Sequence, residues 1–204
     1  MSEALTPTTE LEAVNAMLTT IGETPVNTLE DTGLADAEIA LARLRRVSAE
    51  VQKYGWHFNT EINYPIVPTS PLPGEIKLPQ NVLRVDTTGT DANIDVVQRG
   101  FRLYDRRNHT YKFDKTLRAE MVVLLAYDEL PEAARQYIYL RAARMFQDLT
   151  LGSQTIHGFT QRDENNAWVG LLHAEGDTQD HNMLTDNWHA ASITRRDRNP
   201  VIKL

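Results

Sequence analysis

The chain has 204 residues, 41% of them apolar and 24% charged, and a formal net charge of −7. That is enough apolar material for one large domain, or for a core carrying an insertion. It contains no cysteine, which excludes disulfides, thiolate metal sites and thiol nucleophiles and suits synthesis in a reducing cytoplasm. The opening Met1-Ser2-Glu3 lacks the basic start of a secretory leader. The longest apolar run, residues 121–127, is far short of the ~20 residues a membrane-spanning helix needs, so a soluble protein with no membrane partner is expected.

Residues 9–21 read as an amphipathic helix, with Leu11, Val14, Met17, Leu18 and Ile21 on one face. Thr9 and Glu12 have capping-box spacing, and Gly22 suits a left-handed helix end. A turn-rich connector over 25–33 leads to a second helix, 35–54, whose seam is Ala40, Leu44, Val47, Val51 and Tyr54. The period then changes to two: Trp56 and Phe58, then Ile62 and Tyr64, alternate with polar residues. Pro65, Pro68, Pro71, Pro73 and Pro79 stiffen the next stretch and keep it out of any helix interior. Strands are expected at 82–86, 94–98, 101–105, 110–113 and 117–126, with turns at 88–91 and 106–109, in an antiparallel arrangement.

Helical periodicity returns at Pro131, with Ala134, Ile138, Ala142, Met145 and Leu149 on one face. A fourth helix over 155–175 draws apolar contacts from Phe159, Trp168, Leu171 and Leu172. Beyond Gly176 the periodicity is lost. The expected architecture is therefore α+β: a mainly helical bundle with an inserted small antiparallel β-domain and an extended C-terminal tail. Its parts are N-terminal helices (1–55), the β-domain (56–127), C-terminal helices (128–176) and the tail (177–204).

No motif for cradling phosphate and no serine-hydrolase elbow is present. The six histidines (His57, His109, His157, His173, His181 and His189) show no metal-ligand spacing, so neither a metal nor a cofactor is expected. Asp128-Glu129 and Asp163-Glu164 are adjacent carboxylate pairs. Neighbours on a helix diverge by ~100°, which disfavours an acid–base couple, and Asp128-Glu129 stands where an acid caps the helix starting at Pro131. No catalytic residue is assigned.

Charge is distributed unevenly. Residues 1–42 hold eight acids and no Lys or Arg, whereas 98–118 hold Arg99, Arg102, Arg106, Arg107, Lys112, Lys115 and Arg118 against Asp105 and Asp114. The basic stretch is interleaved with Phe101, Tyr104, Tyr111 and Phe113. It reads either as a base-stacking platform or as a protein interface, and the acidic whole favours the interface. Arg99, Arg102, Arg106 and Arg107 are the candidate subunit-interface residues, since acidic and basic faces on one chain suit head-to-tail association. In the tail, Trp188, Ile193, Arg195, Arg196 and Arg198 form a candidate docking segment.

Residues 10–26, reading ELEAVNAMLTTIGETPV and continuing through Asn27-Thr28-Leu29-Glu30, resemble the opening of the tail tubular protein A family of short-tailed bacteriophages. So do Gly55-Trp56 with Phe58-Asn59, Tyr104-Asp105-Arg106, residues 127–132 and Asn182-Met183-Leu184, all in family order. The resemblance implies a structural virion protein made in the bacterial host cytoplasm. It would form a ring, expected to be a dodecamer, as adaptor and gatekeeper between the portal and the tail nozzle (tail tubular protein B). Tail fibres would attach nearby, and DNA would pass through the channel without specific binding. The alternative function is a tail-associated glycan hydrolase, which would need two carboxylates facing each other in an aromatic-lined cleft.

Overall fold

The computed structural model describes residues 7–30, 33–68, 74–150 and 154–178, with the side chains of the last stretch described from residue 161 onward. In chain order the main elements are α1 (Glu10–Thr20), α2 (Ala35–Gln52), β1 (Thr60–Ile66), β2 (Val82–Thr87), β3 (Val96–Arg99), β4 (Arg102–Asp105), β5 (Leu117–Val123), α3 (Glu132–Thr150) and α4 (Gln154–Thr178). The fold is α+β, with strands between two pairs of helices.

Local chemistry sets the helix ends. The Thr9 side chain accepts from the Glu12 N–H while Glu12 accepts from the Thr9 N–H, closing the capping box of α1. At the other end Gly22 has φ +84°, and the Gly22 and Glu23 amides donate to Thr19 and Leu18 in a Schellman arrangement. In α2, Ala40, Leu44, Val47 and Val51 are buried, but Tyr54 lies past the helix end and is exposed. Along α3 the buried stripe runs through Ala134, Ile138, Ala142 and Phe146. Leu149 continues that stripe in the last turn yet is exposed. Periodicity identifies the face of a helix, not the length over which partners cover it.

The strands form two sheets. Antiparallel β1-β5-β2 is one, and the β3-β4 hairpin is the other. The expected turn at 88–91 is a 3-10 turn (Gly89–Asp91) that carries the chain from one sheet to the next, because β2 pairs with β5, not with β3. The hairpin turns instead at Gly100-Phe101, where Gly100 has φ +63° and Arg99 pairs with Arg102. A Gly-first, two-residue loop of this kind is type II′. The expected strand at 110–113 is absent, since Thr110 bridges Asp105 while Lys112 bridges Glu75 and no continuous ladder forms. Trp56 and Phe58 belong to no strand either: Trp56 precedes a 3-10 turn (His57–Asn59) and packs with the helices. On β1, Ile62 and Tyr64 are exposed, in a stretch where a bulge with Asn63 at φ +59° interrupts the pairing with β5.

Buried apolar residues fall into two clusters. One is built from α1, α2, α3 and α4 with Trp56, and the other from the strands with Ile76, Leu78 and Phe113. Two carboxamides stitch the clusters together. Fully buried Gln52 donates to the Leu125 carbonyl (3.1 Å) and accepts the Leu125 N–H (2.8 Å), as a strand neighbour would. Asn59 donates to the Gln52 and Val123 carbonyls, both at 2.9 Å, and accepts the Trp56 N–H. Because buried polar groups cost most when unpaired, these bonds favour a single relative placement of helices and strands.

Candidate subunit interface

The β3-β4 hairpin aligns Arg99, Arg102 and Tyr104 on its outer face, while Val96 and Leu103 point into the strand core. The Arg99 guanidinium lies 3.7 Å from the Tyr104 ring centroid, and Arg102 lies 4.3 Å from that of Tyr111. The two tyrosines meet edge to face at 4.8 Å. Like charges directly opposed across a hairpin repel. Here each arginine rests on a π-face, a contact worth ~0.5–1 kcal/mol at an exposed site, and Arg102 also reaches Glu75. At the tip Phe101 is 48% exposed, while its backbone carbonyl accepts the Leu78 N–H at 2.8 Å. The result is a rigid apolar tip between two cations.

Arg106 pairs with Asp95 at 3.4 Å, and the Arg107 amide donates to Asp105. Asp105 is a buried carboxylate that accepts from the Arg107 and Asn108 amides and the Asn108 side chain, all at 2.8 Å. Burial opposes its ionisation, but these donors together outweigh it and hold the carboxyl below its ordinary range. Asp91 is held low by Lys115 and by the Arg118 amide. A depressed folded pKa gives stability that is complete above the unfolded value, near 4, and is lost as pH falls through the lower folded value. Thermal melting followed from pH 6 to pH 2.5 is therefore expected to hold steady to about pH 4 and then drop. Asp105→Asn combined with Asp91→Asn should flatten that acid limb.

The acidic residues of 1–42 divide into two groups. Glu10 binds Arg45 through two hydrogen bonds, and Glu12 serves the capping box. Glu23, Glu30, Asp36 and Glu38 form no ion pair among the described residues, and Glu3 and Asp31 lie outside them. Beside Asp36 and Glu38, Leu34 and Ile39 are 40% and 44% exposed. One end of α2 is thus apolar and acidic where the hairpin tip is apolar and basic. Residues Trp188, Ile193, Arg195, Arg196 and Arg198 lie outside the described residues.

Three of the four carboxylates in these pairs have structural partners. Asp128 accepts the Glu10 N–H at 3.1 Å, so it caps α1 from 118 residues away and not the helix that follows it. Glu129 accepts its own loop's Ala126 N–H. Asp163 faces solvent, whereas Glu164 is buried between α3 and α4 and binds Arg141 and Arg144. A cleft of about 600 Å³ near the end of α2 is lined by Trp56, Tyr137 and Trp168, with Glu50 and Glu175 on its walls. Glu50 pairs with Arg46, and Glu175 accepts the His57 N–H at 2.6 Å. Sequence reasoning missed this cleft, since its lining comes from three separate segments and no local signal joins them.

The chain exposes a basic, aromatic hairpin tip and an acidic, apolar helix start. A family model described as tail tubular protein matches residues 11–181, and the chain belongs to that family. It is 31% identical over 142 residues to tail tubular protein A of Klebsiella phage KP34, covering 69% of this chain and 73% of that one. Membership makes it a structural protein of a phage tail, located in the virion and working among other tail proteins. Neither similarity lends support to the glycan-hydrolase alternative.

Proposed function

We propose that the chain forms a ring, a dodecamer, that joins the portal to the tail nozzle as adaptor and gatekeeper, with tail fibres attached at the nozzle junction and DNA passing through its centre. The observation that carries this reading is the pair of unlike surfaces on one chain: a basic hairpin with Arg99 and Arg102 at its tip and Arg106 and Arg107 just past its base, and an acidic end of α2. Two different complementary patches generate head-to-tail contacts, which close into a ring when the rotation per copy divides the circle. An acidic chain also suits a DNA channel, because each phosphate neutralised would add affinity and slow passage. Residues 1–55 with 128–176 form the helical unit of the ring in this reading and 56–127 its β-unit, while 177–204 dock on the portal through Trp188, Ile193, Arg195, Arg196 and Arg198.

Mass by light scattering, with and without purified portal, tests the proposal. A stoichiometric complex with the portal that is lost on deleting 177–204 supports both the adaptor role and the docking segment. Absence of any complex at any salt concentration refutes the adaptor role. Replacing Arg106 and Arg107 by Glu is expected to cut ring formation about tenfold or more, through like-charge repulsion across the contact. Undiminished rings in that variant would remove these two residues from the interface.

A further inference from the structure

We infer that the hairpin tip of one copy, Phe101 between Arg99 and Arg102, seats on the first two turns of α2 of the next copy, with Phe101 against Ile39 and Ala35 and the arginines toward Asp36 and Glu38. This rests on the ring reading above and adds the acceptor surface to it.

Each half is preorganised for such a contact. The tip is held by a type II′ turn, by the Phe101 carbonyl bond to Leu78 and by stacking of both arginines on tyrosines, so little freedom is lost on docking. Arg99 has a ring beneath it and no carboxylate partner among the described residues. On α2, Ala35, Ile39 and Ala42 are exposed along one face, a shallow apolar strip beside Asp36 and Glu38. An aromatic anchor in an apolar recess with charges at its rim is the usual anatomy of a specific contact.

Among the described residues no ion pair joins these two surfaces. The end of α2 is bound to the β5 exit through Gln52 and Leu125. Its acidic start is an 18-residue helix away, about 27 Å. Among the described residues the hairpin arginines Arg102 and Arg106 pair with Glu75 and Asp95, and none pairs with residues 1–42. Two patches of opposite charge on one chain, unpaired with each other among the described residues, point to a second copy as occupant, in a heterologous contact.

The natural chain has no cysteine, so introduced thiols report without background. Phe101→Cys and Ile39→Cys, made separately and mixed under oxidation, should yield a covalent dimer and nothing larger, while either variant alone stays uncrosslinked. The double variant should yield a ladder extending to the full ring. In parallel, Arg99→Glu should weaken association about tenfold or more, and Glu38→Arg in the same chain should restore it. These measurements use the purified chain at rising concentration and tails isolated from virions. Rings of normal mass with neither crosslink nor charge rescue would overturn the α2 acceptor and leave the ring intact. A chain that forms no ring in either setting overturns both.

Discussion

Replacing Arg135 by alanine is expected to be the most damaging single change outside the apolar core, lowering stability by about 3 kcal/mol. Arg135 is only 9% exposed, and its acceptors are three backbone carbonyls: Leu130 at 2.7 Å, Thr8 at 3.0 Å and Asp128. Those carbonyls belong to two segments far apart in the chain, the lead-in to α1 and the loop before α3. The same junction is closed by Glu132, which accepts the Thr8 N–H and hydroxyl, and by Asp128 on the Glu10 N–H. Tyr127 adds a bond from its hydroxyl to the Arg135 carbonyl. Burial raises the pKa of that phenol, so it remains a neutral donor throughout the working range. Truncating the guanidinium leaves the buried Leu130 carbonyl and two part-buried carbonyls without that donor, at ~1–3 kcal/mol for the buried one and less for the others, not fully additive. For a chain of this size about 3 kcal/mol corresponds to a fall in melting temperature of roughly 6–12 °C. Lysine should rescue little, as one ammonium cannot reproduce a planar fork. A denaturation midpoint shifted by less than about 1 kcal/mol would refute the bracing role.

Gly55→Ala should cost nearly as much, for a different reason. Gly55 ends the excursion from α2 with φ +79°, where any Cβ is strained. A Cβ there would also stand 2.9 Å from the Val122 methyl and 3.0 Å from the Arg84 guanidinium. Val122 is fully buried in β5 and cannot retreat. The left-handed conformation costs ~1–2 kcal/mol and overpacking ~1–3 kcal/mol, so a loss of about 3 kcal/mol is expected. Gly22 provides the control. It has a similar φ of +84°, but a methyl added there would meet no neighbour within 4 Å, so Gly22→Ala should show the conformational cost alone. Equal losses at the two sites would show that the contact with Val122 and Arg84 contributes nothing.

Both sites bear on what sequence can express. The capping box at Thr9 and Glu12, the left-handed Gly22 and the seam of α2 from Ala40 to Val51 were legible because each depends on residues within about two turns of one another. The identity of four of the five expected strands was legible for the same reason. The strand expected at 110–113 was not formed, and β2 found its partner in β5, 35 residues further on, with the intervening hairpin set apart. Pattern reports which residues prefer an extended backbone, while pairing is decided by which edges the packed core leaves adjacent.

The candidate interface divides in the same way. That 98–118 is basic and aromatic, and 1–42 acidic, is written in composition. That Arg99 and Arg102 stand opposed on a two-residue turn, each on its own tyrosine, follows only from the hairpin register. Asp128 makes the point most directly. Its position before Pro131 marked it as a helix cap, and a cap it is, but for α1. By itself the sequence determined the four helices, both caps of α1, the α+β class and the separation of charge, because these arise from neighbours along the chain. Tertiary structure alone decided the partners of Asp128, Arg135, Gln52 and Asn59, because a polar side chain specifies the kind of group it must meet and the fold determines which one arrives.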